Sequence, residues 1–178
     1  MEQLKGTTIV AVKRNNETVI AGDGQVTMSQ SVIMKSNAVK VRRIYNDKVI
    51  IGFAGSVADA FSLSSRFEEM LNKFSGNLMR SAVELAVQFR RDEIARKLEA
   101  MMICADKDKI LVISGTGEVV EPDGDICAIG SGGNYAYAAA KALMENTKLS
   151  SEEIAKKALN IASSICVYTN DHITLEKV

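Results

Sequence analysis

Gly6-Thr7-Thr8, followed at once by the apolar stretch Ile9-Val10-Ala11-Val12, places a side-chain hydroxyl where a single backbone cleavage would put a free amine on the same residue. A threonine hydroxyl is a poor nucleophile until a base takes its proton. An α-amino group, with a pKa of roughly 7.7–8.0, is a base already matched to neutral pH. Thr7 released from Gly6 would thus carry nucleophile and base in one residue. The plainer alternative is a chain end leading into an edge strand.

Other residues could serve such a reaction, and each also has an ordinary role. Asp23 sits between Gly22 and Gly24, where a turn aspartate bonds its own backbone. Lys40 opens Lys40-Val-Arg-Arg43, and Lys35 stands five residues earlier as a rival cation. Gly55 falls where a strand pattern gives way to a helical one. A backbone N–H without a ladder partner could there point at an oxyanion, although a turn that glycine makes cheaply would also explain it. Gly130-Ser131-Gly132-Gly133 before a helix invites a phosphate cradle. Tyr135, however, stands where the dinucleotide fingerprint wants a further glycine, and the run comes late among antiparallel strands. His172, with no cysteine or carboxylate at ligand spacing, reads as a strand residue and is assigned no function.

The elements that must hold these residues follow from hydrophobic period and turn signals. Thr8 to Arg14 and Thr18 to Asp23 read as strands joined by Asn15-Asn16, which tolerate the left-handed backbone of a tight hairpin. A polar loop is expected after Gln25. A second hairpin, Ala38 to Arg43 and Lys48 to Ala54, turns at Tyr45-Asn46-Asp47. From Ser56 the period becomes helical, with Ala60, Leu63, Phe67, Met70, Leu71 and Phe74 on one stripe, and Leu78, Ala82, Leu85, Ala86 and Phe89 on the next. Strands resume at Met101 to Ala105, Ile110 to Ser114, Glu118 to Val120 and Ile126 to Ile129. Tyr135 to Met144 is helical, and Ser150 with Glu153 forms a capping box opening a helix whose buried face is expected at Ile154, Ala158, Ile161, Ala162 and Ile165. Ile173 to Leu175 is the last strand. This order predicts an α+β fold of four layers, αββα, with two antiparallel sheets face to face and a pair of helices on each outer side.

Composition narrows the field. The 178 residues suit one domain, and 22 basic against 22 acidic side chains leave no net charge and no basic footprint for nucleic acid. Cys104, Cys127 and Cys166 are odd in number and flanked by apolar residues, which suits buried thiols in a reducing compartment. Residues 1–6 contain no apolar signal core, and no window approaches the run of about 18 apolar residues that a bilayer span needs. A cytoplasmic protein with no membrane partner is expected. No Walker-type Gly-Lys-Ser/Thr loop is present.

Taken together, Thr7-Thr8-Ile-Val, Ala21-Gly-Asp-Gly-Gln25, Val39-Lys-Val-Arg-Arg43, Tyr45-Asn-Asp-Lys-Val49, Gly52-Phe-Ala-Gly55, Ala58-Asp-Ala-Phe61, Ala128-Ile-Gly-Ser-Gly-Gly133 and Cys166-Val-Tyr-Thr-Asn170 resemble the bacterial HslV (ClpQ) peptidase family. These are proteasome β-type subunits of a two-component ATP-dependent protease, and the likeness runs collinearly from Thr7 to the C-terminus. It implies the αββα N-terminal-nucleophile hydrolase fold, with residues 1–6 as a leader and 7–178 as the peptidase domain. It implies Thr7 as nucleophile, Lys40 as the active-site lysine, Asp23 as the carboxylate that fixes that lysine, and Ser131 as a support near the catalytic amine. No cofactor is implied for catalysis. The backbone carbonyls of Ser163, Cys166 and Thr169 would hold a monovalent cation such as sodium, with Ser163 standing where the family usually has glycine. The implied assembly is two stacked hexameric rings capped by the AAA+ unfoldase HslU (ClpY), fed with unfolded protein. Two other classes remain open at this stage: a small-molecule amidase of the same chemistry, and a non-catalytic assembly subunit. A chain that keeps residues 1–6 lacks the amine and is expected to be inactive.

Overall fold

The computed structural model describes residues 4–5, 7–28, 31–91 and 98–178. Of the expected leader, Leu4 and Lys5 form the short strand β1, whereas Gly6, and with it the junction before Thr7, lies outside the described residues. Strands β2 (Thr8–Arg14) and β3 (Glu17–Gly22) pair antiparallel. Asn15 and Asn16 make their turn at φ 54° and 63°, the left-handed pair that matches strand twist. Next come β4 (Val26–Met28), β5 (Val32–Lys35), β6 (Val41–Ile44) and β7 (Val49–Gly55). Helices α1 (Val57–Lys73) and α2 (Leu78–Arg91) lead to β8 (Ala100–Ala105), β9 (Ile110–Ser114), β10 (Val119–Val120) and β11 (Ile126–Gly130). Helices α3 (Gly133–Asn146) and α4 (Ser151–Ser163) precede the final strand β12 (Thr174–Lys177).

Two antiparallel sheets result, in the orders β10-β9-β8-β7-β6 and β11-β2-β3-β12. Side-chain alternation along each strand assigns the layers. Ile9, Ala11 and Ile20 from one sheet meet Ile50, Ala54 and Ile103 from the other in the centre of the sandwich. The intervening residues turn outward: Val10, Val12, Val19 and Ala21 pack under α3 and α4, and Ile51, Phe53, Met102 and Cys104 pack under α1 and α2 against Leu63, Phe67, Leu85 and Phe89. Both faces of the central strands are therefore dry, which is why β2 and β7 are continuous apolar runs rather than alternating ones. Each of these Val, Leu, Ile, Phe and Met side chains gains about 1.5–3 kcal/mol from leaving water. The four-layer αββα order expected from the sequence is the one observed.

The capping box is in place at the start of α4: the Glu153 N–H donates to Ser150 Oγ at 3.2 Å, and the Ser150 N–H donates to Glu153 Oε2 at 2.8 Å. The buried face of that helix differs from expectation. Ile154, Ala158 and Ala162 are buried, but Ala155 and Leu159 complete the stripe, and Ile161 and Ile165 are 42% and 54% exposed. The stripe that α4 presents to α3 and β2 is rotated toward Leu159, leaving the two isoleucines outside. A second correction concerns the loop after Gln25. It contains β4 and β5, which form a small third sheet with β1 in the order β1-β4-β5, Leu4 pairing with Met28 and Lys5 with Thr27.

Cys104, Cys127 and Cys166 are all free thiols and buried. Burial pushes the Cys104 thiol well above its usual range and lifts Cys127 to about 12.

Candidate active site

Thr7 immediately precedes β2 and is 6% exposed, at the end of the sandwich where β2, β11 and the segment after β3 meet. Its carbonyl oxygen accepts the Ser131 N–H at 2.9 Å. Directly beside it, Gly130 holds a φ of +92°, and a Cβ added there would overlap the Thr7 carbonyl. Glycine is required at this position both by backbone conformation and by space. Ser131 is thus joined to Thr7 through its main chain, while its side chain is exposed.

The next residue ties the strand sideways. The Thr8 hydroxyl shares a hydrogen bond of 2.7 Å with the Thr169 hydroxyl and accepts the Gly132 N–H at 3.0 Å. The Thr8 N–H donates to Asp23 Oδ1 at 2.8 Å. That same oxygen accepts Lys40 Nζ at 3.0 Å, so one carboxylate atom links the backbone immediately after Thr7 to the lysine ammonium.

Asp23 is fully buried, and four donors satisfy it: Thr8 N–H and Lys40 Nζ on Oδ1, with the Gln25 N–H at 3.0 Å and the Asn170 N–H at 3.2 Å on Oδ2. A buried carboxylate with this many charge-assisted partners has a fixed position. Lys40 reaches it from the residue preceding β6 and also donates to the Gln25 carbonyl at 2.5 Å. Burial, the larger influence, pulls the Lys40 ammonium below the ordinary lysine value, and the Asp23 charge opposes that pull. Lys40 is 4% exposed, whereas Lys35 lies at the end of β5, a strand exposed throughout. The structure therefore brings Lys40, and not Lys35, into the buried cluster with Asp23.

Gly55 closes β7 at a φ of +108°, where an added Cβ would overlap the Glu99 carbonyl. The ladder fixes where its N–H points. Phe53 N–H donates to the Lys40 carbonyl at 3.1 Å, on the β6 side, and Ser56 N–H donates to the Glu99 carbonyl at 2.9 Å, on the β8 side. Donors alternate sides along an antiparallel strand. The Gly55 N–H accordingly faces the β6 side, beyond Val41, where that strand has not yet begun. It is aimed toward the end of the sandwich that carries Lys40.

Three contributors were not singled out from sequence: the Thr8 hydroxyl, the Gln25 carbonyl and Asn170. Their signal was polar side chains inside otherwise apolar or glycine-rich segments, which fold into the interior only when partnered. For a cation, no group of three or more His, Cys, Asp or Glu side chains among the described residues could hold a metal ion. A carbonyl site does not need one. Ser163 ends α4 and is not among the residues with positive φ, so a side chain there causes no backbone strain. The Cys166 carbonyl accepts the Thr169 N–H at 3.1 Å, which leaves that oxygen a second lone pair.

Comparison with known proteins gives a consistent picture. The family model described as proteasome subunit matches residues 4–178. The ATP-dependent protease subunit HslV of Caldanaerobacter subterraneus subsp. tengcongensis is 63% identical over 172 residues, covering 97% of this chain and 98% of that protein. The subunit of the same name from Listeria innocua is 58% identical over 178 residues, covering 99% of each. Among solved structures, eukaryotic HslV from Trypanosoma brucei superposes with a TM-score of 0.90 at 45% identity, over 96% of this chain and 98% of that one.

Proposed function

The chain belongs to the proteasome subunit family, in its HslV branch, and we propose that Thr7 is the N-terminal nucleophile of this threonine-type peptidase subunit of an ATP-dependent protease. The observation that carries the assignment is Asp23 Oδ1, which accepts both the Thr8 N–H and Lys40 Nζ and so ties a buried cation to the backbone that presents Thr7.

Cleavage between Gly6 and Thr7 frees the amine. The Thr7 hydroxyl then attacks the substrate carbonyl carbon while its proton passes to that amine. The Gly55 N–H, aimed at the open side beside β6, donates to the developing oxyanion, an interaction that is typically worth about 3–4 kcal/mol. As the peptide C–N bond breaks, the amine returns the proton to the leaving nitrogen, and an acyl ester remains on Thr7. Water hydrolyses that ester by the same proton path. The Lys40 ammonium keeps the nearby amine neutral and thus basic. Asp23 orients Lys40, and Ser131 holds the Thr7 carbonyl through its N–H. In a chain that keeps residues 1–6, the Thr7 nitrogen is an amide and cannot act as base.

The carbonyls of Ser163, Cys166 and Thr169 are assigned to a monovalent cation that would stiffen the turn after α4, a role the unstrained Ser163 backbone supports. A proteasome-type oligomer served by an ATP-dependent partner is in keeping with the relatives' names. In its finer form the proposal is two stacked hexameric rings docked to the AAA+ ATPase HslU, with the active sites enclosed so that only threaded, unfolded chains reach Thr7. The cytoplasm is the proposed compartment, supported by three buried free thiols. No described helix is long and apolar enough to cross a membrane.

Intact mass measurement together with a fluorogenic peptide assay tests the assignment. Loss of residues 1–6 and peptide hydrolysis should both disappear in Thr7→Ala, and full hydrolysis by that variant would overturn it.

A further inference from the structure

We infer that Asn170 is a positioning residue for this reaction, one that acts through the Asp23–Lys40 pair by clamping both ends of the β4–β5 hairpin against it. This rests on the reading of that pair as part of the catalytic machinery. The chain leaves the sandwich at Gly24 and returns at Ser36, and between those points lie the two short strands β4 and β5 of the small third sheet. The two ends touch: a Cβ at Gly24 would overlap the Ser36 carbonyl, and the Ala38 N–H donates to the Gly24 carbonyl at 2.9 Å. Lys40 follows the returning end by four residues, so the closure of this neck sets where the lysine backbone enters the site.

Asn170 spans the neck from outside. Its side-chain Oδ1 accepts the Gly24 N–H at 3.0 Å and the His172 N–H at 3.3 Å, and its Nδ2 donates to the Ser36 carbonyl at 2.8 Å. Its backbone N–H meanwhile donates to Asp23 Oδ2 at 3.2 Å. One residue thus bonds the outgoing end, the returning end and the carboxylate that orients Lys40. The amide is the side chain suited to this, since it offers an acceptor and a donor from one rigid plane. The segment around it is anchored in the same sense: the Thr169 hydroxyl bonds Thr8, and the Val167 carbonyl accepts Gln25 Nε2 at 2.9 Å. Removing the amide leaves the Asp23 contact to the backbone of residue 170 and the Ala38–Gly24 bond but loosens the neck, so that the Lys40 ammonium loses its fixed approach to Asp23 and the Gln25 carbonyl.

The test is a double-mutant cycle on the processed, assembled particle, with kcat and KM measured on a short fluorogenic peptide. Asn170→Ala should lower kcat by about ten- to hundredfold, the scale of small misplacements in a catalytic array, with KM nearly unchanged. In a Lys40→Ala background the same substitution should change kcat by no more than about twofold, because residues acting as one unit are not additive. Asn170→Ser, whose hydroxyl can serve one neck partner at a time, should recover part of the loss, and it carries the same cycle should the alanine variant not assemble. Equal losses in both backgrounds, or a loss confined to KM, would overturn the inference. Wild-type turnover in Lys40→Ala alone would instead overturn the reading of the ion pair on which it rests, so the two failures are distinguishable.

Discussion

β2 and β5 use much the same apolar vocabulary and end in opposite environments. Thr8 to Val12 are buried on both faces of a central strand, whereas all four residues of Val32–Lys35 are exposed on an edge. The difference lies in what each strand is bonded to. β2 is paired on both sides, by β3 and β11, and covered by a sheet below and helices above. Among the described residues β5 is paired only to β4, across a register irregularity between Val26 and Thr27, and its own four residues are all exposed. Thr7, the proposed nucleophile, immediately precedes the doubly paired strand, and Lys40, proposed to serve it, follows the segment leaving the exposed one. The candidate site thus draws on a strand paired on both sides and on the return from an exposed one, joined at Asp23.

The comparison can be broken most forcefully at Gly130. Gly130→Ala must displace the Thr7 carbonyl and adopt a positive φ, so hydrolysis should fall by about a thousandfold or more, with a strain cost of about 1–3 kcal/mol read as a lowered Tm. Lys40→Ala should leave the particle assembled while lowering kcat by about a hundred- to a thousandfold, and unchanged turnover would return attention to Lys35. Leu159→Ala, beneath the β2 sheet, should cost about 2–4 kcal/mol in denaturant unfolding, whereas Ile161→Ala two positions on should stay within about 0.5 kcal/mol for the isolated subunit. Equal costs for the two would mean that the α4 stripe is misassigned.

The subtlest effect is on pH dependence. Lys40 has a folded-state pKa below its unfolded value, so between those two values the unfolded chain binds more protons, and stability contributed by this group rises as pH increases through that window. Activity moves the other way. The ammonium is lost at a lower pH than an ordinary lysine would lose it, so the alkaline limb of kcat should fall below about pH 10.4, and Lys40→Arg should move that limb upward. A limb unmoved by the arginine would assign it to another group.

Much of this architecture was legible because it is governed by local rules. The Asn15-Asn16 turn, the capping box at Ser150 and Glu153, and the two-residue and 3.6-residue periods each specify their element without reference to the rest of the chain. The face of α4 was not, because Ile154 and Ala158 belong equally to a stripe continuing through Ile161 and Ile165 and to one running through Ala155 and Leu159. Only the packing of α3 and β2 decides between them. Strands β4 and β5 escape a sequence reading because β4 spans three residues, too few to show a period, and β5 is exposed throughout and has no buried face to alternate with. In the site, the candidates Thr7, Asp23, Lys40 and Gly55 came from motif and resemblance. Apart from the neighbouring Gln25, the Asp23 network joins residues 15 to 147 positions apart, and no local pattern encodes such separations.

The thiols inside the sandwich give the chain a built-in gauge of its own opening. Cys104 lies under the first helical pair and Cys127 between the sheets, both raised in pKa by burial and shut away from reagents. Alkylation in the native state must therefore wait for a layer to part, and the two sites modified at different rates would time the departure of helices from sheet separately from the parting of sheet from sheet.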